Sequence, residues 1–138
     1  MPPSAPRAAP RARHDASALV EFAGSLLTSA GMPGGRAADV AAILVEADLL
    51  GHDTHGLQLL STYLQHIEAG QMKLQGEPIT LADHGAVVTW DGQRLPGPWL
   101  VLRAMEVAAE RAKTYGSGTV SIGRSVRWVP SRTASSSN

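Results

Sequence analysis

From Asp15 onward, apolar residues return every three or four positions along the chain. Leu19, Phe22, Ala23, Leu26, Leu27 and Ala30 share one side of a helix by that spacing. Asp15 or Ser17 can accept the first unpaired N–H groups, and Gly31 suits the left-handed residue that ends a helix. A second helix is predicted over about Ala37–Leu50, with Val40, Ile43, Leu44 and Ala47 inward and Gly51 after it. A third begins near His55 and carries Leu57, Leu60, Tyr63, Leu64 and Ile67 before Gly70. Three amphipathic helices with short joints make a small helical layer.

Beyond Gly70 the period changes. Pro78–Leu81 and Ala86–Trp90 read as short strands, the second closed by the turn pair Asp91 and Gly92. Helical spacing returns over Trp99–Tyr115 through Leu102, Met105, Ala109 and Ala112, and stops at Gly116. Gly118–Ile122 reads as another strand. The expected class is therefore mixed α/β (α+β), with a three-helix layer followed by short strands and a helix. The expected divisions are a disordered basic tail over residues 1–14, a helical segment over 15–70, an α/β segment over 71–123 and an irregular tail over 124–138.

Composition narrows the function. The chain has 138 residues, 43% of them hydrophobic, enough for one modest core. It has no cysteine, which excludes disulfides and thiolate metal sites and suits a reducing, cytoplasmic setting. Apolar runs fall far short of the roughly 20 residues that a spanning helix needs. The net charge of zero is unevenly spread: all 12 acidic residues but only six of the 12 basic ones lie between Arg13 and Arg124. That body carries a net −6 and the two ends +6. An acidic body speaks against nucleic acid as a partner, because phosphate contact needs clustered Lys and Arg.

The densest polar cluster is Asp48, His52, Asp53, Thr54 and His55, followed by Gly56, at the junction of two helices. Three readings compete there. His52 and His55 with the neighbouring carboxylates could approach a metal, although two His at that spacing do not complete a ligand set. Asp53 or Thr54 could instead cap the third helix, leaving ordinary surface histidines. Or the helix start could hold a carboxylate while a histidine gives a proton to a carbonyl oxygen as hydride reaches its carbon. The last reading needs a nicotinamide, and no G-x-G-x-x-G follows a strand to supply a Rossmann site.

The order of features resembles the malate/L-lactate dehydrogenase family. Glu46–Leu57 (EADLLGHDTHGL) is similar to that family's acidic helix end and Ser/Thr-His-Gly signature. Tyr63 and Ile67–Gly70 look like the continuation, and Trp90–Gly92, Gly97, Ala104 and Met105 resemble a "DG…G…AM" passage. Ala112–Gly116 and Val120–Ser125 then lead towards a second signature, so the resemblance covers about Ala16–Ser125. It implies a non-Rossmann fold, an NAD- or NADP-dependent reductase of small 2-oxo acids or cyclic imino acids, and a homodimer in the complete enzyme. It further implies His55 as proton donor, Thr54 and Gly56 at the substrate, and Ser125 at the cofactor.

Two positions depart from the pattern. Leu59 stands where many members carry an arginine for the substrate carboxylate, and leucine cannot make that bidentate pair. Arg127 stands where the second signature carries an acid/base histidine, and arginine stays protonated near neutral pH. Together with the Arg- and Ser-rich run after Ser125, this suggests a truncated or frame-shifted dehydrogenase, inactive alone. The competing expectation is a non-catalytic helical module that binds a partner chain.

Overall fold

A computed structural model describes residues 12–126; the remaining residues, with the basic start and Arg127, lie outside the described part. The elements run α1 (Ala16–Ser29), α2 (Gly34–Leu49), a 3-10 turn (Asp53–His55), α3 (Leu59–Glu68), β1 (Ile79–Asp83), β2 (Val87–Asp91), α4 (Gly97–Tyr115) and β3 (Thr119–Gly123). The class is the mixed α/β one expected.

Asp15 starts α1 by accepting the Ala18 N–H at 3.0 Å, which satisfies one of the donors a helix start leaves free. Helices α1 and α2 then approach closely enough that a Cβ on Gly24 would lie 3.9 Å from that of Ala41. Between them Ala23, Leu27, Val40, Ala41 and Leu44 are buried, and Leu95, Trp99 and Leu100 join the same cluster from the start of α4. Leu27, Leu44 and Leu100 are fully enclosed, each contributing about 2 kcal/mol of apolar transfer energy. Arg36 ties the segment after α3 to this core. Its guanidinium donates to the carbonyls of Leu74 at 2.9 Å and Gly76 at 2.8 Å, and lies 3.7 Å from the Trp99 ring centroid.

The sheet has the order β1-β2-β3, antiparallel between β1 and β2 and parallel between β2 and β3. A parallel pair needs a crossover, and α4 supplies it. Val88 and Trp90 of β2 pack with Ala104, Val107, Val120 and Ile122 in a second cluster under that helix.

Several expectations shift. Each strand starts one residue later than the hydrophobic pattern places it, and β1 runs on two residues further, to Asp83. The buried side of α4 is Leu100 and Ala104 with Val107, whereas Met105 is 63% exposed. Trp99, Leu100, Val101 and Leu102 are consecutive apolar residues, so spacing alone cannot choose between the faces. Phe22 is likewise exposed, because the α1 stripe runs through Val20, Ala23 and Leu27. Helix α3 begins at Leu59, not near His55, and no side chain caps it. Asp53 and Thr54 therefore do not hold its first N–H groups.

After β3 the chain continues beside the β2–α4 turn. Gly92 donates to the Gly123 carbonyl at 2.6 Å, Val126 donates to Leu95 at 3.2 Å, and Pro96 bridges Val126. Asp91 anchors this strip: it accepts the Gln93 N–H at 2.9 Å and pairs with the Arg124 guanidinium, whose Nε is 3.0 Å away. The Arg124 bond, then the Gln93 bond, hold the Asp91 carboxyl below the ordinary aspartate range. A carboxyl depressed in the folded state stabilises it above the unfolded pKa and loses that contribution as pH falls through the folded value. Stability should accordingly be level near neutrality and decline below the ordinary aspartate pKa. Denaturation midpoints measured against pH should show a shallower acid decline for Asp91→Asn than for the parent. An identical decline would mean that Asp91 does not contribute to the acid sensitivity.

Candidate functional site

The turn between α2 and α3 is held by backbone bonds and one carboxylate. Helix α2 ends at Leu49, and Gly51 takes φ +79°, which reverses the chain without a Cβ penalty. His52 then donates to the Ala47 carbonyl at 2.8 Å, and His55 donates to that of His52 at 2.8 Å, closing the 3-10 turn. Asp48, in the last turn of α2, reaches over and accepts the Leu57 N–H at 2.9 Å. Gly56 is buried directly against that carboxylate. The bond fixes the path of the chain on the far side of His55.

His55 is exposed at one side and lines a cavity of about 360 Å³ at the other. The cavity walls are apolar: Leu44, Leu59, Tyr63, Val101 and Val126 all contribute. Burial pushes the Tyr63 hydroxyl pKa up, so it stays protonated well above neutrality. Thr54 Oγ1 lies 3.0 Å from His55 Nδ1. When the hydroxyl donates to Nδ1, the imidazole proton sits on Nε2.

The structure thus brings His55, Thr54 and Gly56 together with Asp48 in one turn. Ser125 is half-buried between Arg124 and Val126, and it is Val126 that lines the His55 cavity. Leu59 forms part of the cavity wall, and among the described residues lining it none is a lysine or arginine. Arg127 lies outside the described residues. No three His, Cys, Asp or Glu side chains gather for a metal among the described residues. Sequence reasoning missed the contributions of Val101 and Val126. Both reach the cavity from distant stretches, so no local spacing could have flagged them. It did single out Asp48, but as a candidate ligand instead of the residue that braces the turn.

Known proteins share this arrangement of elements. The malate/L-lactate dehydrogenase family profile matches residues 14–134, running past Ser125 where the motif reading breaks off. Hydroxycarboxylate dehydrogenase B of Escherichia coli K12 is 31% identical over 110 residues, covering 80% of this chain and 30% of that protein. The L-lactate dehydrogenase of Cupriavidus necator is 30% identical over 76% of this chain and 30% of its own length. The structure of malate dehydrogenase from Pyrococcus horikoshii superposes with a TM-score of 0.81 at 31% identity, over 85% of this chain and 34% of that one. The chain spans about 30% of the length of the curated relatives it matches. On a family match covering most of its length, the chain belongs to the malate/L-lactate dehydrogenase family.

Proposed function

We propose that this chain carries the proton-donor part of a dehydrogenase that interconverts small 2-oxo and 2-hydroxy acids, with NADH or NADPH as the reductant. The observation that supports it most is His55, held by the Asp48-braced turn at the edge of an apolar cavity and oriented by Thr54. A cavity of about 360 Å³ with apolar walls fits a flat ring and a small acid side by side. A bound nicotinamide would supply the hydride, delivered to the carbonyl carbon of the 2-oxo acid. His55 in its imidazolium form gives its Nε2 proton to the carbonyl oxygen, which becomes the hydroxyl, and is left as the neutral imidazole. Thr54 Oγ1 accepts from Nδ1–H of that imidazolium and fixes the ring's orientation, and Leu44, Leu59 and Val101 exclude water. Ser125, beside Val126, is assigned to the cofactor side of the cavity, and Gly56 lets the chain pass close to the substrate.

The assembly is proposed as a cytoplasmic homodimer. Exposed apolar side chains at Phe22, Leu49, Leu50 and Met105 favour association with another chain, and they equally suit the competing reading of a partner-binding module. No helix among the described residues is long and apolar enough to cross a membrane.

The readings separate in a chimera. Residues 12–126 replace the matching segment of the Pyrococcus horikoshii malate dehydrogenase, and turnover is assayed with oxaloacetate and pyruvate under NADH and NADPH. The expected result is reduction of at least one acid. A folded, nucleotide-binding chimera with no turnover of either acid would favour the partner-binding module. The 138-residue chain is expected not to reduce these acids alone, and turnover by it would overturn that expectation.

A further inference from the structure

Three basic residues from three separate stretches meet around one cavity. Lys73 follows α3, Arg94 sits in the turn between β2 and α4, and Arg124 follows β3. Their backbones are tied in series: Lys73 donates to the Arg94 carbonyl at 2.9 Å, and Arg94 donates to the Arg124 carbonyl at 2.7 Å. With Gly70, Met72 and Gln93 they line a cavity of about 420 Å³. One carboxylate, Asp91, is committed to the group, through Arg124. Lys73 and Arg94 form no ion pair with other described residues. The cavity therefore has two cationic side chains that the described protein does not neutralise.

The backbone gives a separate sign. Gln93, Arg94 and Arg124 have φ of 53°, 58° and 50°, in the left-handed region that disfavours any residue with a Cβ. Glycine would take each of these positions without strain. Strained backbone clusters at ligand-holding sites, so three such residues at one cavity, two of them charged, support a binding role beside their place in the turn.

We propose that this cavity binds an oxyanion with at least two negative charges. Its source is a phosphate or diphosphate group, or else the paired carboxylates of a dicarboxylic acid. The planar guanidinium of Arg94 can engage two oxygens at once, and the Lys73 ammonium adds a point charge. His55 is not part of this site, and the proposal stands whether or not the hydride-transfer reading holds.

Calorimetric titration of the 138-residue chain with pyrophosphate and with malonate tests it, beside Arg94→Gly and Lys73→Ala. Arg94→Gly removes the guanidinium and also relieves the backbone, so its thermal midpoint should be no lower than the parent's. At least one anion should bind at one site per chain, weaken with added salt, and lose about tenfold in affinity in each variant. Tighter binding of pyrophosphate identifies a phosphate-bearing ligand, and tighter binding of malonate a dicarboxylate. No saturable binding of either anion overturns the proposal, as does binding that either substitution leaves unchanged.

Discussion

Replacing Gly118 with alanine should destabilise the fold more than any other single-methyl addition in the chain. Gly118 immediately precedes β3, where the chain passes under α4, and an added Cβ would fall inside the Ala108 carbonyl. That obstacle is helix backbone, which cannot rotate aside like a side chain. Relief requires α4 and β3 to separate, and Ala104 and Val107 of α4 with Val120 and Ile122 of β3 cover Val88 and Trp90. The expected loss is about 3 kcal/mol, near the upper end for overpacking. Gly34 and Gly35 provide the control, since a Cβ at either meets nothing within 4 Å. Both lie in α2, where alanine is the better helix former, so Gly35→Ala should gain about 0.5 kcal/mol. Urea denaturation midpoints should move in opposite directions for Gly118→Ala and Gly35→Ala. Equal midpoints would mean that β3 and α4 do not pack as described.

Gly56→Ala should have the second largest effect, and this one reaches the candidate site. The new methyl would occupy the place of the Asp48 carboxylate, which must swing away and release the Leu57 N–H. An amide left without a partner in a part-buried turn costs about 2 kcal/mol. The carboxylate is also what fixes the chain immediately after His55, so the imidazole loses its setting beside the cavity. Asp48→Ala removes the same bond without the clash and should show a smaller loss of stability. In the active chimera Asp48→Ala should lower kcat more than it raises KM, because it misplaces the proposed proton donor without touching the acid. A Gly56→Ala chain with parent-like stability would contradict the close approach of Gly56 and Asp48.

The sequence made most of the elements legible, and the reasons are local. Asp15 as the start of α1 and Gly116 as the end of α4 are single-residue signals, and Gly116 indeed takes φ +78°. The faces of α1 and α4 were harder. In α4 the run Trp99–Leu102 gives every direction an apolar residue, and only the sheet beneath decides which side is covered. The start of α3 was misplaced for a related reason. Asp53 and Thr54 have the chemistry of helix caps, but Gly56 turns extended (φ −93°, ψ −153°) and interrupts the helix before it forms. His55 was visible as a candidate through its motif, whereas its cavity was not, because Val101 and Val126 come from stretches far along the chain. The Asp91–Arg124 pair spans β2 and the end of β3 and likewise has no signature in local spacing.

We propose that His55 delivers the proton in 2-oxo acid reduction. It is tested most directly by kcat for His55→Ala in the chimera with the Pyrococcus horikoshii enzyme, assayed with saturating NADH or NADPH and oxaloacetate. His55→Ala should lower kcat about a hundredfold or more, with nucleotide affinity retained. A His55→Ala chimera that turns over at the parent rate would contradict it and place the proton donor elsewhere.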